Sequence, residues 1–332
     1  MNNFECAIAD LHDIIRDYRN DDGLFISHQT IARWISQFNK ESRYIILSEL
    51  IHIFKNLYIS KSKINNFITK VATSNKLTNN NPISYWSNVS LLSIQQDGES
   101  QKHLVKLLKD EILKKFNINV PINDFTKSKY FYIDDFLFSG KKLKTDLSYL
   151  FRTLSNPATL TIGYIGFFTS GKYHIDKWIK ENNPNNIEIS YRCTAILENR
   201  TNRPLSSSVL LPTDDILQYN NAHAYLQIQE KYFLRNQSHT INSSSIFSNE
   251  EHKKILEKEF TLAGLKINNT IKEHNKKILW KPLGISAWGG FGFRALVSTY
   301  RNCPNNTPLA LWWGEWEHNS IWYPLFPRKT YK

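Results

Sequence analysis

The chain has 332 residues, 41% of them hydrophobic, enough for one large or two modest domains with a real core, and a formal net charge of +12. No apolar run approaches the roughly 20 residues of a membrane span, so no membrane partner is expected. Three scattered cysteines, Cys6, Cys193 and Cys303, form neither a metal-ligand spacing nor a closed disulfide set. The basic balance suits nucleic acid, anionic nucleotides or an acidic partner. Lysines are nevertheless spread along the chain, and no zinc-finger or RNA-recognition signature accompanies them. The opening MNNFECAIADLHDII lacks a basic stretch followed by an apolar one, so no secretory leader and a reducing, cytoplasmic location are expected.

The first 80 residues read as helical. Ser27 caps a pattern with Ile31, Trp34, Ile35 and Phe38 on one face. A second pattern carries Ile45, Leu47, Leu50, Ile51 and Phe54, and a third, capped by Ser60, carries Ile64, Phe67, Ile68 and Val71. Three short helices fit either a helix-turn-helix or a helical cap on a neighbouring domain; the periodicity reports a buried face, which favours the cap. The polar run from Thr73 to Pro82 marks a boundary. From residue 81 strands and helices alternate: a strand at Val89 to Ile94, a QQDGES loop at 95–100, then a helix with Leu104, Leu107, Leu108 and Ile112. Thr159 to Phe168 is a buried strand, Thr169 to Lys172 a small polar loop, and a helix from Tyr173 leads to a strand at Ile187 to Leu197. Such alternation implies parallel pairing through right-handed crossovers. Residues 201–332 form an extension expected to pack on this core. It holds an S-x-x-E capping box at Ser248 and Glu251, with a helix to about Leu262, and a Gly- and Trp-rich tail. In that tail, Trp288, Trp312, Trp313 and Trp322 either stack a nucleobase or complete a core, the commoner use of a tryptophan.

Between the first strand and helix of this alternation and the later strands lies KYFYIDDFLFSGKKL, Lys129 to Leu143. Tyr130 to Ile133 is an apolar, aromatic strand that ends on Asp134 and Asp135. Ser139-Gly140 and two lysines, Lys141 and Lys142, then open a helix carrying Leu143, Leu147, Leu150 and Phe151 on one face. Ligands of open parallel sheets bind beyond the carboxyl ends of strands. A loop entering a helix offers unpaired N–H groups and a positive dipole end to a phosphate, and Gly140 would let that phosphate approach the backbone closely. The two carboxylates suit ribose hydroxyls, Mg²⁺ or developing positive charge on a sugar.

This stretch resembles the ribose-phosphate loop of type I phosphoribosyltransferases: an apolar strand, two acids, three mostly apolar residues, Ser or Thr, and Gly. Lys142 departs from the Thr usual there. The tail adds to the likeness. Pro282-Leu283-Gly284, the Pro304 to Thr307 turn with an apolar strand expected after it, Trp322-Tyr323-Pro324-Leu325-Phe326-Pro327-Arg328, and Trp34, Gln37 and Phe38 near the start resemble the phosphoribosyltransferase-like family of bacterial conflict and anti-phage systems, some of them retron-associated. The resemblance implies an α/β fold with a doubly wound, mostly parallel sheet, preceded by the helical segment of 1–80 and followed by the Trp/Gly-rich extension. It makes Asp134 and Asp135 catalytic and Ser139, Gly140, Lys141 and Lys142 phosphate-binding. Asp97, Gly98, Glu99 and Ser100 become the pyrophosphate loop, with Mg²⁺ as cofactor. The implied ligand is phosphoribosyl pyrophosphate or a ribonucleotide, acted on at ribose C1′ by transfer or glycosidic cleavage, and the implied partner is a reverse transcriptase with its DNA or RNA product. The competing expectation is a nucleotide-sensing or nucleic-acid-docking module without turnover, favoured by Lys142 and by the acids of the 97–100 loop.

Overall fold

In chain order the elements are α1 (Asn3–Ile15), α2 (His28–Ile35), α3 (Arg43–Leu57), β1 (Tyr58–Ile59), α4 (Lys61–Ala72), α5 (Asn75–Thr78) and α6 (Pro82–Ser87). An alternating run follows: β2 (Val89–Leu92), α7 (Ser100–Phe116), β3 (Lys129–Leu137), α8 (Lys141–Thr153), β4 (Thr159–Phe168), α9 (Thr169–Asn182) and β5 (Glu188–Leu197). The chain then adds α10 (Asn220–Gln227), α11 (Glu250–His274), β6 (Ser298–Thr299) and α12 (Leu309–Trp312). This computed structural model describes residues 3–329 apart from 97, 184–186, 230, 237–244, 275–279, 287–288 and 317–320. Two compact units result: residues 62–198 form one, and residues 1–61 join 199–332 in the other. Among the described residues no helix is long and apolar enough to cross a membrane.

The unit of 62–198 is the α/β core. Its parallel sheet runs β2-β3-β4-β5. Outside β2 the segment after α7 lies parallel to it through a single bridge, Leu91 to Ile122. The Leu91 N–H donates to Pro121 O and the Asn123 N–H to Leu91 O, both at 2.9 Å. Pro121 has no N–H, which helps keep this edge to a bridge rather than a strand. The chain therefore moves outward from β2 to the 120–123 segment, returns to β3, and then advances through β4 and β5 in the opposite direction. With right-handed crossovers, that reversal places α7 on one face and α8 and α9 on the other, so the sheet is doubly wound. The strand alternation agrees. Tyr130 and Tyr132 pack with Leu143, Leu147, Leu150 and Ile175 of α8 and α9, while the intervening Phe131 meets the Trp86 ring of α6 at 5.6 Å. Trp86 is itself tied to α4 by its Nε1 donating to Ala72 O at 2.9 Å.

The other unit joins the two ends of the chain. Trp34 Nε1 and Trp322 Nε1 both donate to Ala310 O at 2.8 Å. The Gln37 side chain accepts the Tyr323 N–H and donates to Tyr323 O, each at 2.8 Å. Phe38 meets the Trp322 ring edge-on at 5.2 Å. Trp312 and Trp322 are buried and complete this core. Trp288 lies outside the described residues. Beside α11 sits a buried ionic cluster: the Glu257 carboxylate accepts Arg235 Nη2 at 3.0 Å and the Leu211 N–H at 2.7 Å, with Lys253 Nζ 3.8 Å away.

Several sequence expectations shift. Thr169 to Lys172 is the first turn of α9, not a loop. The helix expected to end near Leu262 continues to His274. Its cap is Asn249, whose Oδ1 accepts the His252 N–H at 2.8 Å, because Ser248 is taken by Glu49. The apolar segment after Pro304 to Thr307 is helix α12, not a strand. Strand β3 continues past both acids to Leu137. Because the Glu257 carboxylate offsets buried cations, Glu257→Gln should leave charge unpaired. Urea denaturation should show a loss of about 3–5 kcal/mol.

Candidate functional site

The reversal of chain direction falls between β2 and β3, so their carboxyl ends bound the crevice in which open α/β sheets bind ligands. Gln101, in the first turn of α7 and fully buried, folds back over the loop: its Oε1 accepts the N–H groups of Ile94 at 2.7 Å and Gln95 at 2.8 Å. That fixes Gln95, whose Nε2 donates to Asp134 Oδ2 at 3.0 Å. From the other side Lys142, in the first turn of α8, brings its Nζ to 3.7 Å from the same oxygen and 3.3 Å from Ser100 Oγ. Gly98, with φ of +92°, stands where an added Cβ would lie 3.5 Å from Lys142 Nζ. Of the residues expected from sequence, Gly98, Ser100, Asp134 and Lys142 thus converge. Glu99 instead pairs with Lys102 at 3.2 Å, Ser139 and Lys141 are exposed beside the group, and Asp97 lies outside the described residues.

The two adjacent acids are not equivalent. Successive side chains of a strand point to opposite faces, and Asp134 is the one that meets Gln95 and Lys142. Asp134 is buried and its Oδ1 accepts the Asp135 N–H at 2.9 Å. Half-buried Asp135 accepts the Phe136 N–H at 2.7 Å. Gly140 also has a packing role. It is the N-cap of α8 with φ of +80°, and a Cβ there would lie 3.0 Å from Gly171 O and 3.3 Å from Ile175 Cβ. The missing side chain therefore serves the turn and its packing on α9. Gly171 is the counterpart: its Cβ would fall 1.8 Å from Phe138 O. The loop thus rests on the bare backbone of α9; Gly140 has no side chain to cap α8, and Ser139 Oγ accepts the Lys141 N–H at 3.5 Å.

Behind Asp134 lies an acid the motif does not contain. Asp146, buried on α8, accepts the Tyr132 hydroxyl at 2.8 Å. Burial pushes its carboxyl up to about 6; nearby Asp134 pushes the same way, while the Tyr132 hydrogen bond and Lys142 pull down. Burial also pushes the Tyr132 and Tyr164 phenols well up, so both stay neutral. Gln95, Gln101 and Asp146 were missed from sequence. Two of them carried a signal: Asp146 interrupts the stripe of Leu143, Leu147 and Leu150, and Gln101 begins the stripe of Leu104, Val105 and Leu108. A polar residue on a buried helical face must find a partner.

The Mg²⁺ implied by the family resemblance fits these residues poorly at Asp134. Mg²⁺ needs near-octahedral oxygens at about 2.0–2.1 Å. Here Asp134 Oδ1 receives a backbone N–H, and Oδ2 already faces an amide and an ammonium. Among the described residues no group of three or more His, Cys, Asp or Glu could hold a metal ion.

The chain matches the PRTase-CE family over residues 31–328 and belongs to that phosphoribosyltransferase-like family. No curated protein matches it.

Two expectations follow from the site's construction. Gly171→Ala should force the 138–140 loop off α9 and lower stability by about 1–3 kcal/mol, as overpacking does, measured by thermal unfolding. Asp146, with its folded-state pKa raised above the unfolded value, binds its proton more tightly when folded, so its contribution to stability should fall as pH rises from about 4 to about 6. Asp146→Asn removes that slope. Its stability relative to wild type should therefore rise through this window by up to about 3 kcal/mol and level off above it, as read from urea midpoints at each pH.

Proposed function

We propose, taking membership of the PRTase-CE family as the premise, that the chain binds phosphoribosyl pyrophosphate or a ribonucleotide at the β2–β3 crevice and acts at ribose C1′ by transfer or glycosidic cleavage. The observation that carries this reading is the meeting of both strand-end loops on one buried carboxylate, with Gln95 and Lys142 at Asp134 Oδ2. Bond breaking at C1′ develops positive charge on the sugar, and a fixed, buried carboxylate stabilises that charge more in the transition state than in the ground state. The first turn of α8, from Gly140 through Lys141 and Lys142, with exposed Ser139 before it, supplies N–H groups, a hydroxyl and positive charge for a 5′-phosphate. The loop of Gly98 to Ser100, next to Lys142, would hold a leaving pyrophosphate. A defence setting, in which the activity depletes a nucleotide pool or modifies an essential target, follows from the resemblance of the tail and the Trp34, Gln37 and Phe38 pattern to conflict-system proteins.

One observation favours a second reading. Lys142 neutralises the acid that would face the sugar, which suits a nucleotide sensor that binds without turnover. Asp134→Asn separates the two. Asparagine keeps size and hydrogen bonding and removes only the charge. Under the enzyme reading, release of base or pyrophosphate should fall by about 10²-fold or more, with ligand affinity changed far less. Turnover left intact in Asp134→Asn would reject the catalytic role. Absence of turnover in wild type across candidate nucleotides, with affinity alone altered in the variant, would establish the sensor.

A further inference from the structure

Lys142 occupies a position that local helix physics disfavours. The first turn of a helix presents the positive end of its dipole and favours Asp or Glu. The start of α8 instead carries Lys141, Lys142 and Lys144 and has no acid in its first turn. A residue that opposes local preference without a packing reason is one whose role lies in the site. The reach of Lys142 shows which role. Its Nζ stands 3.3 Å from Ser100 Oγ, where α7 begins, and 3.7 Å from Asp134 Oδ2 on β3. A Cβ on Gly98 would lie 3.5 Å from it. The side chain is 45% exposed while Asp134 is 2% exposed, so the ammonium has the buried acid behind it and open solvent in front. Nearby, fully buried Gln101 has an Nε2 with no hydrogen-bond partner among the described residues.

We infer that Lys142 is the resident cation of this site. Its ammonium fills the place between Asp134 and an anion lying over residues 98–101 that a divalent ion would otherwise take, so that pyrophosphate-bearing ligands bind without Mg²⁺. The inference rests on the ligand reading given above. A divalent ion at Asp134 Oδ2 would sit against a like charge and displace the Gln95 amide, whereas the ammonium is already paired there. A lysine is a point charge on a flexible stem with three donors. One reaches Ser100, the ammonium faces Asp134 on its buried side, and its solvent side can follow an arriving anion.

Titration calorimetry of the full chain with phosphoribosyl pyrophosphate and with inorganic pyrophosphate, in excess Mg²⁺ and in excess EDTA, tests this. Wild-type affinity should agree within about threefold between the two buffers. Lys142→Met, which keeps the stem and removes the charge, should bind about 10- to 100-fold more weakly in EDTA, the range expected for losing charge-assisted hydrogen bonds, and Mg²⁺ should restore part of the loss. Lys142→Arg should retain binding in EDTA. Wild-type affinity that drops by more than about tenfold in EDTA overturns the resident-cation assignment and leaves the ligand reading standing. Equal affinity of wild type and Lys142→Met in EDTA overturns it as well. Failure of wild type to bind either ligand in either buffer overturns both readings together.

Discussion

A carboxylate taken out of water must be paired, and the core of this protein is arranged to pair Asp134. The acid sits inside β3 with both oxygens engaged: one by the next backbone N–H, the other by Gln95 and Lys142. Gln95 can reach it because Gln101 pins the preceding backbone. Lys142 can reach it because Gly140 and Gly171 let the 138–140 loop lie flat on α9. Two strands, two helices and two loops are thereby tied to one side chain. Asp146 adds a second acid beneath, its carboxyl raised to about 6 by burial, which accepts the Tyr132 hydroxyl.

The site depends equally on a reversal of winding. The chain leaves β2 for the 120–123 segment and returns to β3, which opens a crevice only between those two strands. The outer segment is held by a bridge, two backbone hydrogen bonds and the Asn123 side chain on Ser93. That modest edge suffices because Val120 is buried. The second unit solves a different problem: it closes the ends of the chain on each other through paired tryptophan donors on one carbonyl and a glutamine clamped to Tyr323.

Lys142 gives the crevice its particular character. In a site read as one for phosphorylated sugars, an ammonium at the acid has two consequences. It supplies positive charge permanently and at fixed stoichiometry, and it reduces the negative charge available to a cation-like sugar. Binding and turnover are thus pulled in opposite directions by one residue, and their relative size decides between an enzyme and a sensor.

Much of this was legible in the sequence. The strands at 159–168 and 187–197, the helix after Ser27 and the alternation from residue 81 follow from periodicity and capping, which are local properties. Asp134 and Lys142 were singled out because a strand, a loop and a helix in that order put them at a strand end, and Gly98 and Ser100 because the family resemblance implied a pyrophosphate loop there. Other features were not legible. The joining of residues 1–61 with 199–332, the opposite facing of Asp134 and Asp135, the true neighbour of Gly140, and the roles of Gln95, Gln101 and Asp146 appear only in three dimensions. Sequence patterns record which face of an element is buried. They do not record which distant element covers it, and the pairing of a buried acid with an amide 39 positions away is set by the order in which the strands cross the sheet.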